Sequence, residues 1–351
     1  MLHDVLATGS AGHDRDQVRV RDQSLVQGIG GDLVACEATE LAQRTGTDAR
    51  YVREWLEQQA AAGVLLCENP AADAARRRFA LSDGHAQALL DPESLAAVPG
   101  LVRLAIGALS VLPRLVDAFR SGDGIPFADY GEDTREGIAA TNRPMFARQL
   151  GSEWLPAVPA VHERLSRSPA ARVADVGCGC GWSSQAIARA YPPRVDGLDE
   201  DAASIARARE DASSAGLDNR VRFFRQDAAD DALRGAYDLV TIFEALHDMA
   251  RPVEALQAAR TLLVEGGSVI VADERAAERF TAPAEEPLDR LFYGMSVLHC
   301  LPVGRVEQPS AATGTVMRPH TLREYATRAG FDQVEVLAID NDFWRFYRLI
   351  P

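Results

Sequence analysis

The stretch VADVGCGCGWSSQAIARA, residues 173–190, places Gly177, Gly179 and Gly181 at alternate positions, directly after an apolar run and before a helical pattern. Glycines at such a strand-to-helix turn let backbone approach a bound group closely. A pyrophosphate-binding loop of the form G-x-G-x-x-G would need a third glycine where bulky Trp182 stands. Asp175, two positions before the first glycine, disfavours a dianion and favours a cationic ligand. The next strand-like segment, VDGLDED, ends in Asp199, whose carboxylate can accept hydrogen bonds from both hydroxyls of a ribose, with Glu200 beside it. A third segment ends RQDA, offering Asp227 to an adenine amino group and the Ala228 backbone to its ring. A fourth, TIFEALHDMA, brings Phe243 to the same edge and His247 just beyond it. An imidazole of ordinary pKa suits general-base work. Asp248 either orients it or caps the helix that follows, and Glu244 either holds the amino-acid end of a ligand or simply packs. Cys178 and Cys180 are too closely spaced for a zinc pair and have no second ligand pair near them. No metal is expected; Cys178 counts as part of the ligand wall.

The elements that must position these residues follow from periodicity. From residue 171 strand and helix patterns alternate as RVADVG, SSQAIARAYP, RVDGLD, DAASIARAREDASSAGL, RVRFFRQD, YDLVTIFEAL, PVEALQAARTLL and GGSVIVADE, the rhythm of a doubly wound α/β sheet. A segment at about 275–318 interrupts it. Then TLREYATRAGF predicts a helix opening with a capping box from Thr321 to Glu324, followed by two strands, QVEVLAID and FWRFYRLI. Toward the N-terminus, ELAQRTGTDARYVREWLEQQA predicts a helix-turn-helix whose second helix presents Tyr51, Val52, Trp55, Leu56 and Ala60 on one face. VLLCE and RRRFALS can pair as a wing. The predicted organisation is a winged-helix-like domain over 1–84 with a loose arm over 1–30, a helical linker or dimerisation region over 85–165, and a sheet domain over 166–351.

Residues 171–274 resemble the class I S-adenosylmethionine-dependent methyltransferases, with ADVGCGCG, GLD and RQDA in the places of that family's glycine, ribose and adenine motifs. With its winged helix, RYVREWL, HD after the fourth strand and NDFWRFYRL near the end, the whole chain is similar to a bacterial small-molecule group within it. The resemblance implies a seven-stranded, mostly parallel Rossmann-like sheet, S-adenosylmethionine as cofactor, His247 as general base, and a homodimer. It also implies that the segment at 275–318 is a lid, with Tyr293 and His299 from that lid, and Tyr130 and Asn142 from the linker helices, lining a pocket for a flat or hydrophobic acceptor. Methylation of oxygen or nitrogen is favoured.

Composition narrows the alternatives. The 351 residues carry a formal net charge of -14, which repels nucleic-acid phosphates and anionic membranes. No apolar run is long enough to span a bilayer and the N-terminus has no signal-peptide pattern, so a cytoplasmic protein is expected. Two other readings remain: a transcriptional regulator, for which Arg50, Arg53 and the wing run Arg76, Arg77 and Arg78 argue while Asp48, Glu54 and Glu57 argue against, and a cofactor-binding protein that catalyses something other than methyl transfer.

Overall fold

The computed structural model describes residues 35–167, 171–227 and 237–351; the arm expected over 1–30 and Ala228 lie outside these. Contacts divide the chain into two units after Val98 rather than after residue 84, so the helices from Pro99 onward belong with the sheet.

In the first unit β1 (Cys36–Glu37), β2 (Leu65–Cys67) and β3 (Arg78–Leu81) form a sheet in the order β1-β3-β2, beside α1 (Ala38–Thr45) and α2 (Ala49–Ala61). The wing pairing is present, β2 running antiparallel to β3. Val52 and Leu56 of α2 are buried, with Trp55 and Ala60 packed beside them, but Tyr51 is 81% exposed and does not belong to that face. The aromatic ring sits one residue off the buried stripe. Asp48 caps α2 by accepting from the Arg50 and Tyr51 amides. Several of the unit's arginines are occupied: Arg50 pairs with Glu54, Arg76 with Glu37, Arg77 with Glu57 and Arg78 with Glu68.

The second unit starts with α4 (Pro99–Ser110) and α5 (Leu112–Ser121), α3 (Asp83–Leu90) having closed the first. Then come α6 (Gly131–Met145), continued by a π-helical stretch Phe146–Trp154, and α7 (Pro159–Ser166). The sheet strands are β4 (Arg172–Val176), β5 (Arg194–Asp199), β6 (Val221–Arg225), β7 (Tyr237–Phe243), β8 (Leu263–Glu274), β9 (Gln333–Val336) and β10 (Trp344–Ile350). Their order is β6-β5-β4-β7-β8-β10-β9, parallel except where β10 runs antiparallel to β8 and β9. This is the seven-stranded, mostly parallel sheet of the Rossmann-like type. Central strands such as β4 and β7 are buried almost throughout because both faces are covered. One core lies on the face with Phe146, Trp154, Ile187 and Phe346, the other on the face with Leu256, Leu322 and Tyr325.

Helices α8 (Trp182–Ala190), α9 (Ala202–Ser214) and α10 (Pro252–Leu262) connect the strands. After β8 come α11 (Pro287–Met295), a π-turn Ser296–Cys300 and α12 (Leu301–Gly304), before α13 (Pro319–Arg328). The capping box expected from Thr321 is not formed: α13 begins two residues earlier, with Pro319 at its first position, where its fixed φ and missing N–H are tolerated.

Helix α6 is set against α4 by backbone contact. A Cβ on Gly107 would lie 2.4 Å from the Thr134 nitrogen, one on Gly137 2.4 Å from the Leu104 nitrogen, and one on Gly100 2.6 Å from the Thr141 nitrogen. Glycines at i and i+7 of α4, Gly100 and Gly107, and Gly137 of α6 therefore let the two helices touch along Thr134, Gly137 and Thr141. That contact fixes which face α6 turns the other way.

Candidate active site

The other face of α6 walls a cleft. Arg135, Ile138, Ala139, Asn142 and, just past its end, Phe146 line it, at the i, i+3, i+4, i+7, i+11 spacing of a single helical stripe. Opposite lie Gly177, Cys178, Gly179, Cys180, Trp182 and Ser183 of the β4–α8 turn, with Phe243 and Glu244 at the end of β7, and Phe127 and Ser204 at the sides. The cavity is about 80 Å³, where one water needs roughly 10–15 Å³ on the same measure. It has room for a segment of a ligand.

The floor is bare backbone. Gly177 and Gly179 have φ of +71° and +50°, which residues with a Cβ rarely adopt. A side chain on Gly177 would meet the Ala245 Cβ at 2.4 Å, whereas one on Gly179 would project into open space. Gly181 is needed for another reason, since a Cβ there would strike the Phe223 ring at 2.5 Å; it serves helix-to-strand packing behind the cleft.

Asp175 does not reach the cleft, contrary to the expectation that it faces the ligand. Its carboxylate, 1% exposed, accepts from the hydroxyls of Ser183 at 2.6 Å, Ser184 at 2.6 Å and Thr241 at 2.7 Å. It ties the first turn of α8 to β4 and β7 and so holds the glycine turn from beneath. Burial pushes its pKa up, while the three hydroxyls pull it back. Asp199 braces the turn from the side: one oxygen accepts from the Gly179 amide at 2.9 Å, the other from the Asp201 amide at 2.8 Å. Each carboxylate oxygen still has acceptor capacity. Asp201 caps α9 and takes a two-pronged ion pair from Arg135 at 2.7 and 3.3 Å, which anchors the start of the α6 stripe.

The remaining expected ligand residues scatter. Phe243 and Cys178 are in the wall; burial drives the Cys178 thiol well above its usual pKa, so it stays protonated. Glu200 is exposed, and Asp227, 3.6 Å from Arg251, lies beyond the cleft past β6. Asn142 lines the cleft and its amide donates to Glu244. Tyr130 and His299 stack edge to face at 4.7 Å, and His299 meets Phe127 at 5.7 Å, so this pair stands one ring behind the cleft wall. The Tyr130 hydroxyl donates to the Leu298 carbonyl, and burial lowers the His299 pKa, keeping that imidazole neutral. Tyr293 is not brought to the cleft: it is 39% exposed and its hydroxyl accepts from Arg318. Apart from Asn142, the α6 stripe, Arg135 above all, is not among the residues expected from sequence, although the spacing within REGIAATNRPMF carries it.

His247, in the short turn after β7, is 2% exposed and held among carboxylates. Its Nδ1 lies 2.8 Å from Asp273 and 3.2 Å from Glu274, its Nε2 3.2 Å from Asp248. Burial alone would lower its pKa, but the three carboxylates outweigh this and hold it well above the ordinary value. The imidazole of ordinary pKa expected from the sequence is therefore an imidazolium at neutral pH. Asp248 is its ion partner. Glu244 stands at φ +53°, a strained conformation for a residue with a Cβ, and burial pushes its pKa up to about 7.

A methyltransferase domain model matches residues 167–304. The ubiquinone biosynthesis O-methyltransferase of Xanthomonas campestris pv. campestris (strain B100) is 36% identical over 105 residues, which is 29% of this chain and 43% of that protein. The chain thus spans under half the length of this curated relative. Solved structures share the fold over nearly the whole chain. Human N-acetylserotonin methyltransferase in complex with S-adenosylmethionine matches with a TM-score of 0.63 at 16% identity, covering 97% of this chain and 99% of that one. The mitomycin 7-O-methyltransferase MmcR matches with a TM-score of 0.62 at 20% identity, covering 94% and 91%. Residues 167–304 of this chain thus match a methyltransferase domain, and nearly the whole chain shares the fold of these solved methyltransferases.

Proposed function

We propose that the protein transfers a methyl group from S-adenosylmethionine to the oxygen or nitrogen of a small aromatic or hydrophobic acceptor. The observation that carries this reading is a floor of bare glycine backbone bounded by Asp199 on one side and the half-buried Glu244 carboxylate on the other. Such a floor admits a flat nucleoside with a cationic tail and offers nothing to a pyrophosphate. Asp199 would hold the ribose hydroxyls, and the turn 177–179 would carry the tail. Bound there, S-adenosylmethionine supplies an activated methyl carbon, and what remains for the protein is to hold the acceptor in line with it.

His247 is the residue to take the acceptor's proton. It can do so only after giving up its own, and the acceptor hydroxyl or amine would replace Asp248 at Nε2 while Asp273 keeps Nδ1 fixed. Phe127 and Asn142 from the cleft wall, with Tyr130 and His299 behind it, would shape the acceptor side of the cleft. The segment after β8 would close over it. The exposed apolar row Val102, Ile106, Leu109, Leu112, Val116 and Phe119 on α4 and α5 supports a homodimer contact. The test is incubation with S-adenosylmethionine and a panel of phenols and aromatic amines, reading S-adenosylhomocysteine by mass spectrometry. Stoichiometric methylated product is expected. Binding without product on any acceptor, or tight binding of a nicotinamide dinucleotide instead, would overturn it.

A further inference from the structure

Glu244 is a half-buried carboxylate facing a ligand cleft with a neutral hydrogen-bond donor, the Asn142 amide, beside it. Arg135, which lines the cleft, is directed elsewhere and pairs with Asp201. Withdrawing the Glu244 carboxylate from water is unfavourable even with the His247 imidazolium nearby, and the left-handed backbone at Glu244 adds strain. The chain nevertheless holds it there, with the Glu244 amide donating to the Ala272 carbonyl at 2.8 Å. An arrangement costly in the empty cleft is consistent with a cation that arrives with the ligand.

The position says which cation. Asp199 touches the floor at Gly179, and Glu244 stands at the other end of the turn, where Ala245 abuts Gly177. Two Cα steps, up to about 7 Å, separate these ends, a distance the methionine tail of S-adenosylmethionine can bridge from its sugar. Of the two positive groups on that tail, the sulfonium has no N–H to donate, whereas the α-ammonium has three. We infer that Glu244 is the seat of the cofactor's α-ammonium group, oriented by the Asn142 amide. This rests on the S-adenosylmethionine reading above.

Calorimetry with three ligands tests it on the full-length protein. S-adenosylmethionine and S-adenosylhomocysteine both carry the ammonium; 5′-methylthioadenosine lacks the amino-acid tail. Glu244→Gln is expected to weaken the first two by about 10- to 100-fold, as for loss of a charged hydrogen bond, and to leave the third within about 2-fold. Loss confined to S-adenosylmethionine would assign Glu244 to the sulfonium and overturn the inference. Equal loss for all three ligands would make the residue structural and also overturn it. If Glu244→Gln does not fold, the wild-type protein decides with S-adenosylhomocysteine against its deaminated analogue: a 10-fold or larger preference for the amine supports the seat, and equal affinity refutes it. Failure of wild-type protein to bind any of the three would instead strike the cofactor reading itself.

Discussion

Replacing Asp175 separates a residue that shapes the glycine turn from one that touches the ligand. Three buried hydroxyls converge on this carboxylate, Ser183 and Ser184 from α8 and Thr241 from β7. Asp175→Ala leaves all three without their acceptor inside the core. Each unsatisfied buried hydroxyl costs about 1–3 kcal/mol, and partial relaxation puts the total at roughly 3–6 kcal/mol. That is a large share of the roughly 5–15 kcal/mol that holds a domain together. Asp175→Asn keeps one acceptor oxygen and adds an amide that Thr241 can accept from, so about 1–2 kcal/mol is expected. Urea unfolding gives these differences, and titration with S-adenosylmethionine gives the affinity. Both variants should lose stability in that order, with the ligand affinity of Asp175→Asn falling only as far as the turn loosens, by less than about 10-fold. If Asp175→Asn were as stable as wild type yet lost binding by more than 100-fold, the carboxylate would be a direct ligand contact and the buried-brace reasoning would fail.

Other outcomes follow from the same geometry. Gly107→Ala would ordinarily gain about 1 kcal/mol of helix propensity, but its Cβ would stand 2.4 Å from the Thr134 nitrogen, so a net loss of about 1–3 kcal/mol in urea unfolding is expected, together with weaker cofactor binding as α6 is pushed off the cleft. In the unliganded protein Glu244 keeps its proton to about pH 7 when folded, against 4.5 as the ordinary value, so its contribution to stability falls as pH rises through that window. His247, Asp273 and Asn142 face it from the neighbouring elements. Glu244→Gln should therefore unfold at higher urea than wild type at pH 8, by on the order of 1–3 kcal/mol, and converge with it below pH 4.5; a less stable variant at pH 8 would contradict this. Because His247 is held as the imidazolium by Asp273, Glu274 and Asp248, the methyl-transfer rate should climb about 10-fold per pH unit through neutrality. His247→Asn should flatten that slope and lower the rate by about 100-fold or more; an unchanged profile would remove His247 from proton transfer.

The sheet and the glycine turn are legible in the sequence because they rest on local pattern. Apolar runs alternating with helical periods leave little choice of topology, and three glycines at a strand end have a steric meaning of their own. The brace beneath the turn is not legible. Asp175 stands beside the glycines in sequence, and nothing local shows that two serines and a threonine from β7 point inward at it. His247 is visible at the end of its strand, but its charge state depends on Asp273 and Glu274, which arrive from β8. The aromatic character of its segment suggests a pocket position for Tyr293, whereas the amphipathic turn of α11 leaves it outward beside Arg318. The stripe on α6 has a readable period, but its importance depends on the glycine contact with α4 that turns the stripe toward the cleft.

Calorimetry of S-adenosylmethionine with the wild-type protein and with Asp199→Ala is the most direct measurement of all. Asp199 is expected both to bind the sugar hydroxyls and to fix the Gly179 amide, so the variant should bind at least about 100-fold more weakly, corresponding to two hydrogen bonds to a charged acceptor. Equal affinity of the two proteins would contradict a nucleoside site on this turn.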